Sequence, residues 1–147
     1  MKLDESKIID VECDHIRTKE AKKITYRGLE IYAVKRSIGE KLGIYSIPTA
    51  WWCGYVEVPV DIHKLFKPKG YFDETILDEL DDPNLANVHG GYTYAAYGIP
   101  LVLIDDYRLF LGWDYNHWPD TEDCVTYQKI LKEGMKVVDS MQEFQTT

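Results

Sequence analysis

Ile24-Thr25-Tyr26-Arg27-Gly28-Leu29-Glu30-Ile31-Tyr32-Ala33-Val34-Lys35 is the stretch that decides the fold. Two β-rich runs flank a Gly-X pair at Gly28-Leu29, the pattern of a hairpin closed by a tight turn. A hairpin commits the chain to antiparallel pairing, and later β-rich runs supply neighbouring strands. Trp51–Val60 reads as the next strand; Pro59 lacks an N–H for the ladder and marks its end or a sheet edge. Val88–Tyr94 reads as a strand broken at Gly90-Gly91. Leu101–Ile104 and Tyr107–Trp113 read as two strands around a turn at Asp105-Asp106.

The strongest helix follows, over Glu122–Glu143. Tyr127, Ile130, Leu131, Val138 and Met141 fall at helical spacing, with Asp120 or Thr121 as expected N-cap and acids in the first turn. Gly134 lies on the same stripe and would let the helix approach a sheet closely. Elsewhere the signals are weaker. The segment through Lys23 is polar and poorly periodic, with a short helix expected around Glu5–Val11. Ser37–Ile47, with Gly39 and Gly43, reads as a loop. Lys64–Gly70 leads into Asp73–Asp82, a short solvated helix or turn ended by Pro83. There is no internal repeat, low-complexity tract or linker. The expectation is a single α+β domain over residues 1–147, a mainly antiparallel sheet of about five or six strands with a C-terminal helix packed on one face.

The 147 residues suffice to bury a core, and 45% hydrophobic with 13% aromatic content is ordinary for a globular chain. No apolar run reaches membrane-spanning length, and Met1-Lys2-Leu3-Asp4-Glu5 carries no signal-peptide core, so the expected location is the cytoplasm, with no membrane partner. Cys13, Cys53 and Cys124 are odd in number and unpaired in spacing, which argues against a disulfide or zinc framework. The net charge of −8 is uneven: residues 1–45 hold ten Lys/Arg against eight Asp/Glu, and residues 46–147 hold seven against seventeen. So few basic clusters argue against a long nucleic-acid partner, whose backbone needs many Lys/Arg contacts. Acidity aids solubility; its sharper reading is a surface that mimics nucleic acid and plugs a partner's basic groove.

The chemistry-bearing residues gather in two runs, Val88-His89-Gly90-Gly91-Tyr92-Thr93-Tyr94 and Leu111-Gly112-Trp113-Asp114-Tyr115-Asn116-His117-Trp118-Pro119-Asp120. Polar groups interleaved with aromatics suit a concave ligand site. Asp114 and His117, three apart, could share a ligand or bond each other. With His63, His89 and Asp120 they offer a set that could hold a metal, but no diagnostic metal spacing is present. No metal or other cofactor is therefore assigned. Gly90-Gly91 signals a bulge or a close backbone approach, whose bare amides could hold an anionic group, with Arg108 or Lys64 as charged partners. Adjacent Trp51 and Trp52 cannot share one face of a strand. Cys53 and Cys124 have no nucleophile-like context and read as buried thiols. The candidate ligand-binding set is His63, His89, Gly90, Gly91, Tyr92, Tyr94, Arg108, Trp113, Asp114, His117 and Asp120.

Cys53-Gly54-Tyr55-Val56-x-Val58-Pro59, His63, Val88-His89-Gly90-Gly91-x-Thr93-Tyr94 and Gly112-Trp113-Asp114-x-x-His117-x-x-Asp120 together resemble a family of small uncharacterised proteins encoded largely by bacteriophages, prophages and other mobile elements. The likeness spans about residues 51–140 and leaves the N-terminal third outside. The chain departs from the family pattern at Trp113, where Phe is usual, at Tyr115-Asn116, where Cys-Ala is usual, and at Ile62, where the family has its His followed by Pro. The resemblance implies a phage-type origin and no settled biochemistry.

Three functional readings follow. The first is a phage-type accessory protein that captures, and sequesters from host defence, a small polar or nucleotide-like molecule; a homodimer would let two chains contribute donors to the pocket. The second is a small hydrolase acting through His89, Asp114 and His117. The third is an inhibitor that binds a host protein through an acidic, aromatic surface. The chain contains no G-x-S-x-G, Walker A, Rossmann or kinase signature, which weighs against an enzyme.

Overall fold

A computed structural model describes residues 2–13, 18–37, 50–59, 88, 91–99, 102, 104–115 and 125–146. The readings of Lys64–Gly70 and Asp73–Asp82, and of the Ser37–Ile47 loop beyond Ser37, lie outside the described residues.

The hairpin that opened the sequence reading is present, one residue out of step. Strand β2 (Thr18–Tyr26) pairs antiparallel with β3 (Leu29–Ser37), and Tyr26 faces Leu29 across a two-residue turn at Arg27-Gly28. Both turn residues have positive φ, 51° and 83°, the signature of a type I′ turn whose twist matches its strands. A turn at Gly28-Leu29 would lift Leu29 out of the core, where it is buried, and a one-residue slip would reverse every side chain of β3. Arg27 tolerates the left-handed conformation while its guanidinium pairs with Asp139 at 2.8 Å.

β2 also starts six residues before the Ile24 of the sequence reading. Its register shift between Thr18 and Glu20 spoils the alternation that marks a strand, and Lys19, Glu20, Lys22 and Lys23 give it a polar look. Ahead of it, Glu5–Lys7 forms a single 3-10 turn capped by Asp4, not a helix to Val11, and Ile9–Asp10 forms a short edge strand, β1, against β2.

Strand β4 (Ala50–Glu57) stops just before Pro59, in agreement with the proline's missing donor. β5 (Tyr94–Ile99) and β6 (Ile104–Asp114) form a second antiparallel pair, with Ile99 opposite Ile104. Two expectations are corrected here. The chain runs straight through Asp105-Asp106 as one strand, and the reversal falls between Ile99 and Ile104. The strand foreseen over Val88–Tyr94 begins only at Tyr94; before it, the Gly91 N–H donates to the Val88 carbonyl at 3.0 Å, and φ at Gly91 is 82°. The strands form one six-stranded antiparallel sheet in the order β1-β2-β3-β4-β6-β5.

Helix α1 (Tyr127–Thr146) packs across β2, β3 and β4, so the chain is a single α+β domain with its C-terminal helix on one sheet face. Thr126 is the N-cap: its Oγ1 accepts the Lys129 N–H and its carbonyl accepts the Ile130 N–H, each at 3.2 Å. The helix thus starts later than foreseen, and its first turn carries no acid. The expected caps Asp120 and Thr121 lie outside the described residues. Ile130, Leu131, Val138 and Met141 are buried as their spacing requires, against Ile31, Val56, Leu109 and Leu111. Each such side chain contributes about 1.5–3 kcal/mol on burial. Gly134 makes the contact possible, because a Cβ there would lie 2.4 Å from Ile31 Cγ2.

Candidate functional site

Strand alternation divides the sheet's side chains between two faces. Ile31, Ala33, Trp52, Val56, Leu111 and Trp113 point toward α1. Tyr32, Val34, Cys53, Tyr55 and Phe110 belong to a second core on the opposite face, with Trp51 and Tyr94 packed at its margin. The adjacent tryptophans separate as strand geometry demands: Trp52 stacks toward Tyr127 of the helix, and Trp51 lies on the other face.

On that second face, cross-strand register sets Val34, Cys53 and Asp114 in one row and Tyr32, Tyr55, Gly112 and Tyr94 in the next. Gly112 clears the space between the two tyrosines; a Cβ there would come within 2.8 Å of Tyr55 and 2.9 Å of Tyr94. The rings of Tyr55 and Tyr94 meet edge to face at 5.2 Å. Beside them opens a cavity of about 230 Å³ bordered by Arg36, Cys53, Tyr55, Thr93, Tyr94, Trp113 and Asp114.

The polar groups of the cavity are held in place. The Thr93 N–H donates to the Gly112 carbonyl at 2.8 Å, and the Thr93 hydroxyl donates to Asp114 Oδ2 at 3.3 Å. The Tyr94 hydroxyl donates to the Gly98 carbonyl at 2.7 Å, and burial pushes its pKa up. Burial likewise pushes the Cys53 thiol up to about 12 and Tyr55 well above its ordinary value, so neither ionises near neutrality. Cys13 and Cys53 are buried thiols outside any disulfide, and the raised pKa of Cys53 makes it a poor nucleophile; Cys124 lies outside the described residues. Among the described residues that border the cavity, Arg36 is the cation. Its guanidinium sits 5.3 Å over the Trp51 ring, and among the described residues no carboxylate reaches it within ion-pair distance.

The two runs singled out in the sequence do meet, through Thr93 and Asp114, but the functional set is redistributed. Tyr94 and Asp114 border the cavity. Trp113 edges it, while its indole lies over Gly54 on the helix side and donates to the Tyr115 hydroxyl at 3.2 Å. Tyr92 packs edge-on against Trp113 in that same layer and does not border the cavity. The Gly91 amide is committed to Val88, so it is no free anion donor. Arg108 lies six residues from Asp114 along β6, about 20 Å at strand spacing. There it pairs with Glu30 and, at 3.6 Å, with Glu57. His63, Lys64, His89, Gly90, His117 and Asp120 lie outside the described residues.

Arg36, Cys53, Tyr55 and Thr93 were missed as site residues. A signal for Arg36 existed: the alternation Tyr32, Val34 continues one step past Lys35, which places Arg36 on the face of the aromatics.

Arg108 belongs to a separate polar cluster at the far end of this face. Burial pushes the Glu30 carboxyl up, but hydrogen bonds from Tyr32, Lys23 and Arg108 outweigh it and hold the pKa at about 2. Burial, with the hydrogen bond to Glu30 added to it, drives the pKa of the Tyr32 hydroxyl upward. These groups satisfy one another. Among the described residues, a wider hollow of about 500 Å³ is bordered by Lys2–Ser6, and its Asp4 already caps the 3-10 turn.

Among the described residues, no group of three or more His, Cys, Asp and Glu side chains could hold a metal, and no helix is long and apolar enough to cross a membrane. Comparison of the chain with protein-family models, curated proteins and solved structures finds no match.

Proposed function

We propose that this chain is a phage-type accessory protein that binds a small, nucleotide-like molecule in the Arg36–Asp114 cavity and holds it unaltered in the host cytoplasm. The observation that carries this reading is Arg36: a half-buried guanidinium, stacked on Trp51, that faces a cavity without an ion-pair partner among the described residues. A charged donor in such a place is stabilised by a ligand's acceptors, each charge-assisted bond contributing about 1.5–3 kcal/mol.

The charge in the cavity indicates which part of the ligand enters. Arg36 and Asp114 carry opposite charges, so a dianionic phosphate attracted by one would face the other. An uncharged edge with acceptors on one side and donors on the other satisfies both. At about 230 Å³ the cavity is smaller than the roughly 300–1,000 Å³ of pockets that enclose whole drug-sized ligands, and it suits a single flat ring system. The charged part of a nucleotide would then remain outside. A phage-type origin, which the resemblance of residues 51–140 implies, would suit a sequestering role by analogy alone.

Titration of the chain with nucleosides and mononucleotides by calorimetry tests the reading. Two or three charge-assisted bonds and an aromatic contact give micromolar binding. Arg36→Ala is expected to weaken it at least about tenfold, the loss of one such bond. Equal affinity in wild type and Arg36→Ala would refute the site.

A further inference from the structure

We infer that the ring held in this cavity is a guanine base, with its O6/N7 edge on Arg36 and its N1/N2 edge on Asp114. The inference rests on the nucleotide-binding reading above and names the base.

The argument starts from what each wall can offer. A guanidinium only donates, through parallel N–H groups; a carboxylate only accepts, through two oxygens with about four lone-pair sites. Arg36 stands on β3 and Asp114 on β6, with Cys53 of β4 between them. Two strand spacings separate the flanking strands, about 10 Å, and Arg36 lies two residues further along the sheet than the row of Val34, Cys53 and Asp114. Because both side chains border the same cavity, the two walls face a common space over Cys53. A ligand that fills it must present acceptors to one side and donors to the other.

The common bases differ in how well they do so. Guanine has two adjacent acceptors, O6 and N7, matched to an arginine fork, which is the commonest specific arginine contact to a base. Its N1–H and N2–H groups lie side by side and match the two oxygens of a carboxylate. Adenine offers a lone N7 acceptor beside a donor, which meets Arg36 with the wrong group. Cytosine and uracil present no pair of adjacent ring and exocyclic donors for the carboxylate. Thr93 reinforces the choice, since its hydroxyl donates to Asp114 Oδ2 and fixes the carboxylate. Tyr55 and Tyr94 supply an aromatic wall.

The test is calorimetric titration of the full chain with guanosine, inosine, adenosine and xanthosine, on wild type and Asp114→Asn. Wild type is expected to bind guanosine about tenfold or more tightly than inosine, which lacks the N2 amino group, or adenosine. Asp114→Asn keeps an acceptor for Thr93 but replaces one oxygen with a donor, so its preference is expected to move from guanosine to xanthosine, whose C2 carries a carbonyl. The inosine comparison uses wild type alone and stands even if the variant misfolds. Binding of several nucleosides alike, weakened by Arg36→Ala, overturns the guanine assignment and leaves the nucleotide reading intact. Binding of none overturns both.

Discussion

Arg36 and Arg108 occupy the same sheet face in opposite circumstances. Arg108 is held by Glu30 and Glu57, whereas Arg36 rests on Trp51 with no such carboxylate among the described residues. Both arginines are visible in the sequence, and Arg108 or Lys64, not Arg36, is the charged partner the sequence suggests. Ion pairing between residues 78 apart in sequence is invisible in composition and spacing. The Glu30 cluster makes a pH prediction. With its folded pKa near 2 against an ordinary 4.5, Glu30 contributes stability that is complete above pH 4.5 and is lost as pH falls toward 2. The contribution is of the order of 2–3 kcal/mol, because each pKa unit corresponds to about 1.4 kcal/mol. Glu30→Gln should be less stable than wild type at pH 7, and the gap should narrow by pH 3. Urea midpoints at the two pH values measure this; a gap independent of pH would show that ionised Glu30 does not provide the stabilisation.

At the scale of elements, periodicity gave sound results where one face is buried and the other wet. The stripe Ile130, Leu131, Val138, Met141 and the stop at Pro59 are such cases. Boundaries failed where local chemistry was silent: Thr126 and not an upstream residue caps α1, and the β5–β6 reversal avoids the polar Asp105-Asp106 pair. An Asp-Asp pair resembles a turn in composition, yet pairing along the whole of β6 outweighed that preference. Gly134 provides the sharpest test at this scale. On an isolated helix, Gly134→Ala would stabilise by about 1 kcal/mol. Here the new Cβ would lie 2.4 Å from fully buried Ile31, so overpacking of roughly 1–3 kcal/mol should dominate. A lower unfolding midpoint is expected for Gly134→Ala. An equal or higher midpoint would mean that α1 does not sit against β3 as described.

At the scale of the molecule, α1 covers one face of the sheet and leaves the cavity to the other. Arg36 is half-buried on that second face and stands outside its core cluster. Substitutions at Arg36 should therefore change affinity while leaving the unfolding midpoint within about 0.5 kcal/mol, the usual range for sites outside the core. Of the residues that border the cavity, Tyr94, Trp113 and Asp114 were legible in the sequence, because they stand in polar and aromatic runs. Arg36, Cys53 and Tyr55 come from β3 and β4, whose residues join the cavity only through cross-strand register. The central claim is that this cavity retains a small ligand without changing it. The most direct measurement equilibrates the chain with guanosine nucleotides across a dialysis membrane at protein concentrations above the expected micromolar dissociation constant, quantifies the bound fraction, denatures the protein by heat and identifies what is released. Near-stoichiometric binding and recovery of intact nucleotide by wild type, with a clearly lower bound fraction for Arg36→Ala, is the predicted result. Recovery of a cleaved product, or equal retention by the variant, would contradict the account.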